Sequence, residues 1–135
     1  MKIVVIDGQG GSLGKTLVEK IKKQYGCELY AIGTNSIATA AMLKAGADFG
    51  ATGENPVVVN CRDADIVLGP VGIIAADSLL GEITPKMASA IACSSAKKIL
   101  VPVSRCKIVI AGAPDISFGE AIDGAVRALG DIITK

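Results

Sequence analysis

The strongest chemical signal in the sequence is a glycine-rich stretch, GQGGSLG, at residues 8–14. It follows a short apolar run at residues 3–6 and precedes a stretch with helical spacing of apolar residues. A buried strand that turns directly into a helix brings backbone N–H groups and the positive end of the helix dipole to one point, and glycines let a phosphate approach. The stretch therefore predicts an anion-binding loop. The alternative is that its glycines only allow the helix to pack closely on the sheet.

The spacing of these glycines narrows the ligand class only in part. Gly8, Gly11 and Gly14 fit G-x-x-G-x-x-G, whereas the strict dinucleotide pattern G-x-G-x-x-G requires a glycine at Leu13. The stretch ends in Gly-Lys-Thr like a P-loop, but Gln9 stands where the first P-loop glycine belongs. The loop indicates phosphate or nucleotide without naming either.

Two charged residues flank the loop. A carboxylate at Asp7 would repel a nearby phosphate unless it points aside, holds a metal ion or bonds a ligand hydroxyl. The alternative interpretation is an Asp-Gly turn. Lys15 opposes the helix dipole, a cost that a bound phosphate would offset; otherwise it is an exposed, solvated side chain.

The loop after the second predicted strand is where a dinucleotide-binding protein places the acid that binds ribose. Here residues 33–36 offer Thr34, Asn35 and Ser36, with neither that acid nor the arginine that suits NADP. Their hydroxyl and amide groups either bond a ribose or a 2′-phosphate, or cap the next helix. If a dinucleotide binds, we expect NAD and NADP affinities within about tenfold of each other.

Two later loops also follow predicted strands, on the side of a parallel sheet where ligands bind. The loop at residues 69–72 is either a second ligand clamp, with Asp77 and Glu82 beyond it, or a rigid turn. At residues 104–107, Arg105 beside Cys106 favours a thiolate. The alternative there is a buried structural cysteine.

Composition limits the chemistry. The sequence has no histidine, which removes Ser–His, Cys–His and His–metal mechanisms and leaves carboxylates, lysine, thiols or a bound cofactor. Cysteines are scattered without a C-x-x-C pair, which predicts reduced thiols and no metal site. They are Cys27, Cys61, Cys93 and Cys106.

The length of 135 residues predicts a single domain spanning residues 1–135. Half the residues are hydrophobic but only 3% are aromatic, as in a core of Val, Ile, Leu and Ala around a parallel sheet. A net charge of +1 with mixed signs predicts no nucleic-acid partner. Without a signal peptide or membrane-length apolar run, we expect a cytoplasmic protein. Apolar surface left uncovered favours a homo-oligomer.

Strand and helix patterns alternate along the chain. Strands are predicted at residues 2–6, 28–32, 57–59, 66–68, 99–103 and 108–110. Helices are predicted at residues 14–24, 36–44, 75–93 with an interruption near Thr84 and Pro85, and 118–133. This order predicts a Rossmann-like, three-layer α/β fold with a doubly wound, mainly parallel sheet. Strand one should be central, because its continuous apolar run leaves no solvent side.

Several segments carry a resemblance to a known family. They are VIDGQGGSLGK at residues 5–15, AIGTNSIATAAMLKAGAD at 31–48, GATGEN at 50–55, LLGEITPKMA at 79–88 and KILVPVSRC at 98–106. Over nearly its whole length the chain resembles a small bacterial family known as a domain of unknown function, with a DGQGG-x-x-GK opening. That family implies no established activity.

More loosely, the first half resembles the nucleotide-binding half of atypical short-chain dehydrogenases, in which a G-x-x-G-x-x-G loop is followed by a segment like LKAGAD. The sequence lacks their Tyr-x-x-x-Lys pair, since Leu29 and Thr34 stand four residues after Tyr25 and Tyr30. The resemblance therefore implies a shared fold rather than hydride transfer.

These patterns together predict a nucleotide- or phosphometabolite-binding protein, with NAD(P) or a mononucleotide as candidate cofactor and a small phosphorylated ligand as partner. One alternative is a small enzyme that uses Asp7, Lys15 or Cys106 on a phosphorylated substrate, or an NAD(P)-dependent oxidoreductase. Another is an interaction protein with a structural glycine loop. The predicted binding residues are Gly8, Gln9, Gly10, Gly11, Ser12, Leu13, Gly14, Lys15, Thr34, Asn35, Gly69 and Pro70.

Overall fold

The computed structural model describes residues 1–103 and 107–135. The strands are β1 (Ile3–Asp7), β2 (Leu29–Gly33), β3 (Phe49–Thr52), β4 (Ile66–Pro70) and β5 (Lys97–Val101). The helices are α1 (Ser12–Tyr25), α2 (Ser36–Lys44), α3 (Glu54–Cys61), α4 (Pro85–Cys93) and α5 (Phe118–Ile133), and a one-turn 3-10 helix covers Val71–Ile74.

The five strands form one sheet in the order β3-β2-β1-β4-β5, and every neighbouring pair is parallel. Strand β1 is central, with Ile3 opposite Leu29 on one side and Ile66 on the other. All five of its residues are buried. The prediction of a central first strand is confirmed, and its cause is the one expected: a strand covered on both faces favours apolar side chains, which occupy residues 3–6.

Helices cover both faces of the sheet, which confirms the Rossmann-like three-layer fold. Helices α1, α2 and α5 pack on one face around Val5, Leu17 and Ile122, and α3 and α4 pack on the other around Ile6 and Ile91. The winding reverses between β1 and β4, so a crevice is expected at the carboxyl ends of these two strands.

The predicted strand at residues 57–59 is wrong, because these valines lie in α3. Val57 and Cys61, one helical turn apart, are buried, while Val59 between them is exposed. The third strand is instead Phe49–Thr52, which lies exposed at the edge of the sheet and whose sequence FGAT contains no apolar run. Branched side chains occur in both strands and helices, so they do not distinguish the two. The spacing of three to four residues between buried positions is that of a helix.

Two further element predictions need correction. Of the helix predicted at 75–93, only Pro85–Cys93 is helical; residues 75–84 form turns, with left-handed backbone at Asp77, Leu79 and Leu80. Residues 108–110 lie outside the five-stranded sheet, and Val109 is 91% exposed. An apolar triplet becomes a strand only where a neighbouring strand can pair with it.

Candidate functional site

The carboxylate of Asp7 closes the base of the glycine loop. Asp7 is 5% exposed, and its Oδ1 accepts the Gly8 N–H at 2.8 Å while its Oδ2 accepts the Gly14 N–H at 2.7 Å. Burial raises the pKa of this carboxyl and prevails over the lowering by the two N–H groups; the charge of Glu82 raises it further. The carboxylate thus points aside, into the loop's own backbone.

The backbone of the loop leaves three donors for a ligand. The Gly11 N–H donates to the Gly8 carbonyl at 2.9 Å, and the Lys15 N–H donates to the Gly11 carbonyl at 2.8 Å. Among the residues that the structure describes, none accepts from the N–H groups of Gly10, Ser12 and Leu13. We call these three N–H groups the amide cradle. They lie at the positive end of α1, where anions bind.

The glycines of the loop have different roles. Gly11 has φ 75°, and a Cβ there would lie 2.7 Å from the Cα of Ala38 on α2. A Cβ on Gly14 would lie 2.6 Å from Sδ of Met42, so this glycine lets α1 pack closely. At Gly10, which is exposed, a Cβ would meet nothing within 4 Å. Its open side is therefore available to a ligand.

A cavity of about 540 Å³ opens beside the amide cradle. It lies at the expected reversal point, between the loop after β1 and the ends of β4 and β5. Its volume is within the range of small-molecule sites. Its lining residues are Asp7, Gly8, Gln9, Gly10, Gly11, Ser12, Leu13, Pro70, Leu79, Pro102, Val103, Ile108, Pro114, Asp115, Ile116, Ser117 and Phe118.

A second helix begins at the same cavity. Ser117 is the N-cap of α5, and its Oγ accepts the Glu120 N–H at 3.2 Å. Both Ser117 and Phe118 line the cavity, so the positive ends of α1 and α5 open onto one space. Ile108, Ile116 and Phe118 add an apolar wall, which suits a flat ring or base.

On the other side of the loop, Glu82 binds the residues that follow β2. Its Oε1 accepts the Gln9 N–H at 3.0 Å, the Thr34 hydroxyl at 2.6 Å and the Asn35 amide at 2.7 Å. Partial burial raises the pKa of Glu82, but these three hydrogen bonds outweigh it and hold the pKa below its ordinary value. We call this group of four residues the Glu82 clasp.

The structure divides the predicted binding residues. Gly8, Gln9, Gly10, Gly11, Ser12, Leu13 and Pro70 line the cavity, whereas Gly14, Lys15, Thr34, Asn35 and Gly69 do not. Thr34 and Asn35 belong to the clasp. Lys15 is exposed, and Gly69 is buried where β4 passes the backbone of Ile6. Arg105 and Cys106 of the proposed thiolate site lie outside the described residues.

Sequence reasoning missed the wall of the cavity that residues 107–118 provide. The available signal was Ser117 followed by Glu120, since Ser-x-x-Glu marks the start of a helix. A strand followed by such a start predicts a second helix terminus at the ligand-binding edge. For the Glu82 clasp the sequence carries no such signal, because its partners stand 47 to 73 positions away.

No group of three or more His, Cys, Asp or Glu residues in the part of the chain that the structure describes is arranged to hold a metal ion. No helix among the described residues is long and apolar enough to cross a membrane.

The fold and the site define a Rossmann-like α/β protein with a glycine-rich loop between its first strand and first helix. The chain belongs to the family described as Domain of unknown function (DUF3842), which matches residues 2–134. This match confirms the family resemblance predicted from the sequence. A search of curated proteins finds no match. The significance of the DGQGG opening and the likeness to short-chain dehydrogenases stay predictions.

One solved structure with a similar fold is a dodecameric FMN-dependent UbiX-like decarboxylase from Escherichia coli O157:H7. The similarity covers 100% of this chain and 96% of that chain, with a TM-score of 0.55 and 17% sequence identity. At this identity the likeness supports the shared fold.

Proposed function

We propose that this protein binds a small phosphorylated ligand, either a nucleotide or a phosphometabolite, and holds the phosphate at the amide cradle. The observation that carries the proposal is the set of three N–H groups, of Gly10, Ser12 and Leu13, that no described residue accepts from. Backbone donors left unpaired at the mouth of a cavity require water or a ligand. At a helix N-terminus the preferred ligand is an anion.

The rest of the cavity supports a ligand with a ring. The start of α5 adds a second positive helix end, and Ile108, Ile116 and Phe118 offer an apolar wall. A phosphate on the cradle and a base or flavin against that wall would use both features. No residue is assigned a catalytic role, so the proposal concerns binding.

FMN is the first ligand to test, because the solved neighbour is described as FMN-dependent. The same neighbour is dodecameric. We propose that this chain also forms a homo-oligomer, for which the exposed side chains of Val109 and Ile110 provide apolar surface.

The experiment that tests the binding proposal compares ligands with and without phosphate. Calorimetric titration with FMN and riboflavin, and with AMP and adenosine, separates the phosphate from the ring. We expect the phosphorylated member of at least one pair to bind at least tenfold more tightly, since charge-assisted hydrogen bonds are the strong ones. Equal affinities within both pairs, or no binding of any of the four, would contradict the proposal.

A further inference from the structure

We infer that the ligand is a mononucleotide or another compound with one phosphoryl end, and that the Glu82 clasp excludes dinucleotides. This inference rests on the proposed function, because it concerns what the amide cradle and its cavity admit. It assigns a specificity-determining role to Glu82.

The first step concerns where a dinucleotide would lie. In a sheet of this strand order, a dinucleotide spans the glycine loop, with its pyrophosphate at the start of α1 and its adenosine ribose at the carboxyl end of β2. At the end of β2 this protein has Thr34 and Asn35. Neither of them lines the cavity.

The second step is that the clasp already uses the polar groups of that position. Thr34 donates its hydroxyl to Glu82, and Asn35 donates its amide to both Glu82 and the Gln9 carbonyl, the latter at 2.9 Å. The Asn35 Oδ1 accepts the Ala38 N–H at 2.9 Å and caps α2. A ribose placed here would have to break these bonds.

The third step is steric. A Cβ on Gly8 would lie 2.5 Å from the Thr34 Oγ1, 3.0 Å from the Leu79 Cδ1 and 3.1 Å from the Glu82 Oε1. The glycine loop, the end of β2 and residues 79–82 therefore meet in direct contact. The segment 77–83 is also held in place, because its Asp77 N–H donates to the Ile83 carbonyl at 2.7 Å and the side chain of Ile83 is fully buried.

The fourth step is electrostatic. The Gln9 N–H, next to the cradle, is occupied by the Glu82 carboxylate, which stays ionised at neutral pH because its pKa is held low. Asp7 places a second carboxyl beneath the loop. A pyrophosphate on the cradle would bring a second charged phosphate toward Glu82, a repulsion that a ligand with a single phosphate avoids. The cavity extends along β4, β5 and the start of α5.

The test uses two matched pairs, FMN with FAD and AMP with NAD, each pair sharing one nucleotide half. Dissociation constants are measured for the wild type by calorimetry and by flavin fluorescence. In whichever pair binds, we expect the dissociation constant of the mononucleotide to be at least tenfold lower than that of the dinucleotide. In Glu82→Ala, which opens the clasp, we expect that ratio to fall at least threefold, through tighter dinucleotide binding.

If Glu82→Ala folds poorly, Leu79→Ala is a second variant that opens the contact between residues 79–82 and the glycine loop. The control is Glu28→Gln at an exposed position remote from the cavity, which should leave the ratio of the two dissociation constants unchanged. A wild type that binds FAD or NAD within threefold of its mononucleotide would overturn the inference while leaving the proposed function in place. So would dinucleotide affinity that drops in Glu82→Ala, because Glu82 would then bind the ribose. Failure of both mononucleotides would overturn the proposed function, and this inference with it.

Discussion

The hydrogen-bond donors on the two sides of the glycine loop are used in opposite ways. Toward β2, the hydroxyl of Thr34 and the amide of Asn35 are joined to Glu82 within the protein. Toward β4 and β5, the N–H groups of Gly10, Ser12 and Leu13 have no acceptor among the described residues, and these three residues line a cavity of about 540 Å³. The hydrogen-bond donors around this loop are thus paired within the protein on one side and unpaired on the other.

Polarity at the ligand-binding edge of a sheet therefore does not by itself identify a site. Donors already paired within the protein have no hydrogen bond left to give, so a ligand can use only the donors without a partner. By that criterion we expect Thr34 and Asn35 to stabilise the protein and the amide cradle to bind the ligand.

The largest effect is expected from closing the open side with Gly10→Asp. A carboxylate beside the cradle repels a phosphate, and we expect roughly hundredfold weaker binding, about 2.7 kcal/mol. Because Gly10 is exposed and a Cβ there meets no atom within 4 Å, stability should change by less than about 0.5 kcal/mol. Calorimetric titration with FMN or AMP and urea unfolding measure the two quantities.

The control for that variant is Gly124→Ala, another glycine where a Cβ has room, in the middle of α5. It should keep full affinity. If Gly10→Asp also binds normally, the ligand does not sit on the cradle.

On the closed side, Glu82→Ala should lower the free energy of unfolding by about 1–2 kcal/mol, because the donors of Gln9, Thr34 and Asn35 lose one shared acceptor. Partial access of water to this half-buried site limits the cost. Glu28→Ala is the exposed control and should change it by less than about 0.5 kcal/mol. Unfolding in urea checks both variants; equal stability of the two would mean that the clasp does not stabilise the fold.

The start of α5 forms the far wall of the open side, and Ser117→Ala removes its cap. Loss of the bond from the Glu120 N–H should cost about 1 kcal/mol. We also expect affinity for the phosphorylated ligand to fall two- to threefold, since the frayed helix end lines the cavity. Ser89→Ala, an exposed serine inside α4, is the matched control. Unchanged affinity with lowered stability would place the ligand away from α5.

The smallest effect is the acid response of the two carboxylates. Glu82 has a lowered pKa when folded, so its contribution to stability is present above its ordinary pKa of 4.5 and is lost as the pH falls through its folded pKa. Asp7, whose pKa is raised by burial, works in the other direction: stability falls as the pH rises from 3.8 through its folded pKa.

Replacing Glu82 should therefore reduce the decrease in the free energy of unfolding that occurs at acid pH. Urea unfolding of the wild type and of Glu82→Gln at pH 7 and pH 3.5 measures this, and we expect the acid-induced loss to be smaller in the variant by up to about 1 kcal/mol. An identical loss in both proteins would show that Glu82 does not titrate as the clasp requires.

Sequence reasoning reached the architecture because the signals for it are local. The apolar run of β1 required a strand buried on both faces, and the bounds predicted for residues 36–44 and 118–133 agree with α2 and α5. The prediction from sequence failed at Val57, whose branched side chain suggested a strand although it lies in α3. It also failed at Phe49–Thr52, an edge strand without an apolar run. Both errors concern elements whose state is decided by tertiary contact.

For the candidate site, the glycine loop is visible in the sequence, but the use of each residue is not. Gly10 and Gly14 look alike in a motif, yet one is open and the other is packed against Met42. Thr34 and Asn35 look available until Glu82 is brought to them from a distant segment. Side-chain pairing across such separations depends on how the chain winds, which no local pattern encodes.

Amide NMR titration of the protein with FMN or AMP, using inorganic phosphate as the reference anion, reports where the phosphate binds at the level of single N–H groups. Binding of the phosphate at the amide cradle predicts that the N–H signals of Gly10, Ser12 and Leu13 shift first and most, with smaller shifts at Ser117 and little change at Thr34 and Asn35. Shifts that are largest at Thr34 and Asn35, or that are confined to residues 69–72, would contradict it.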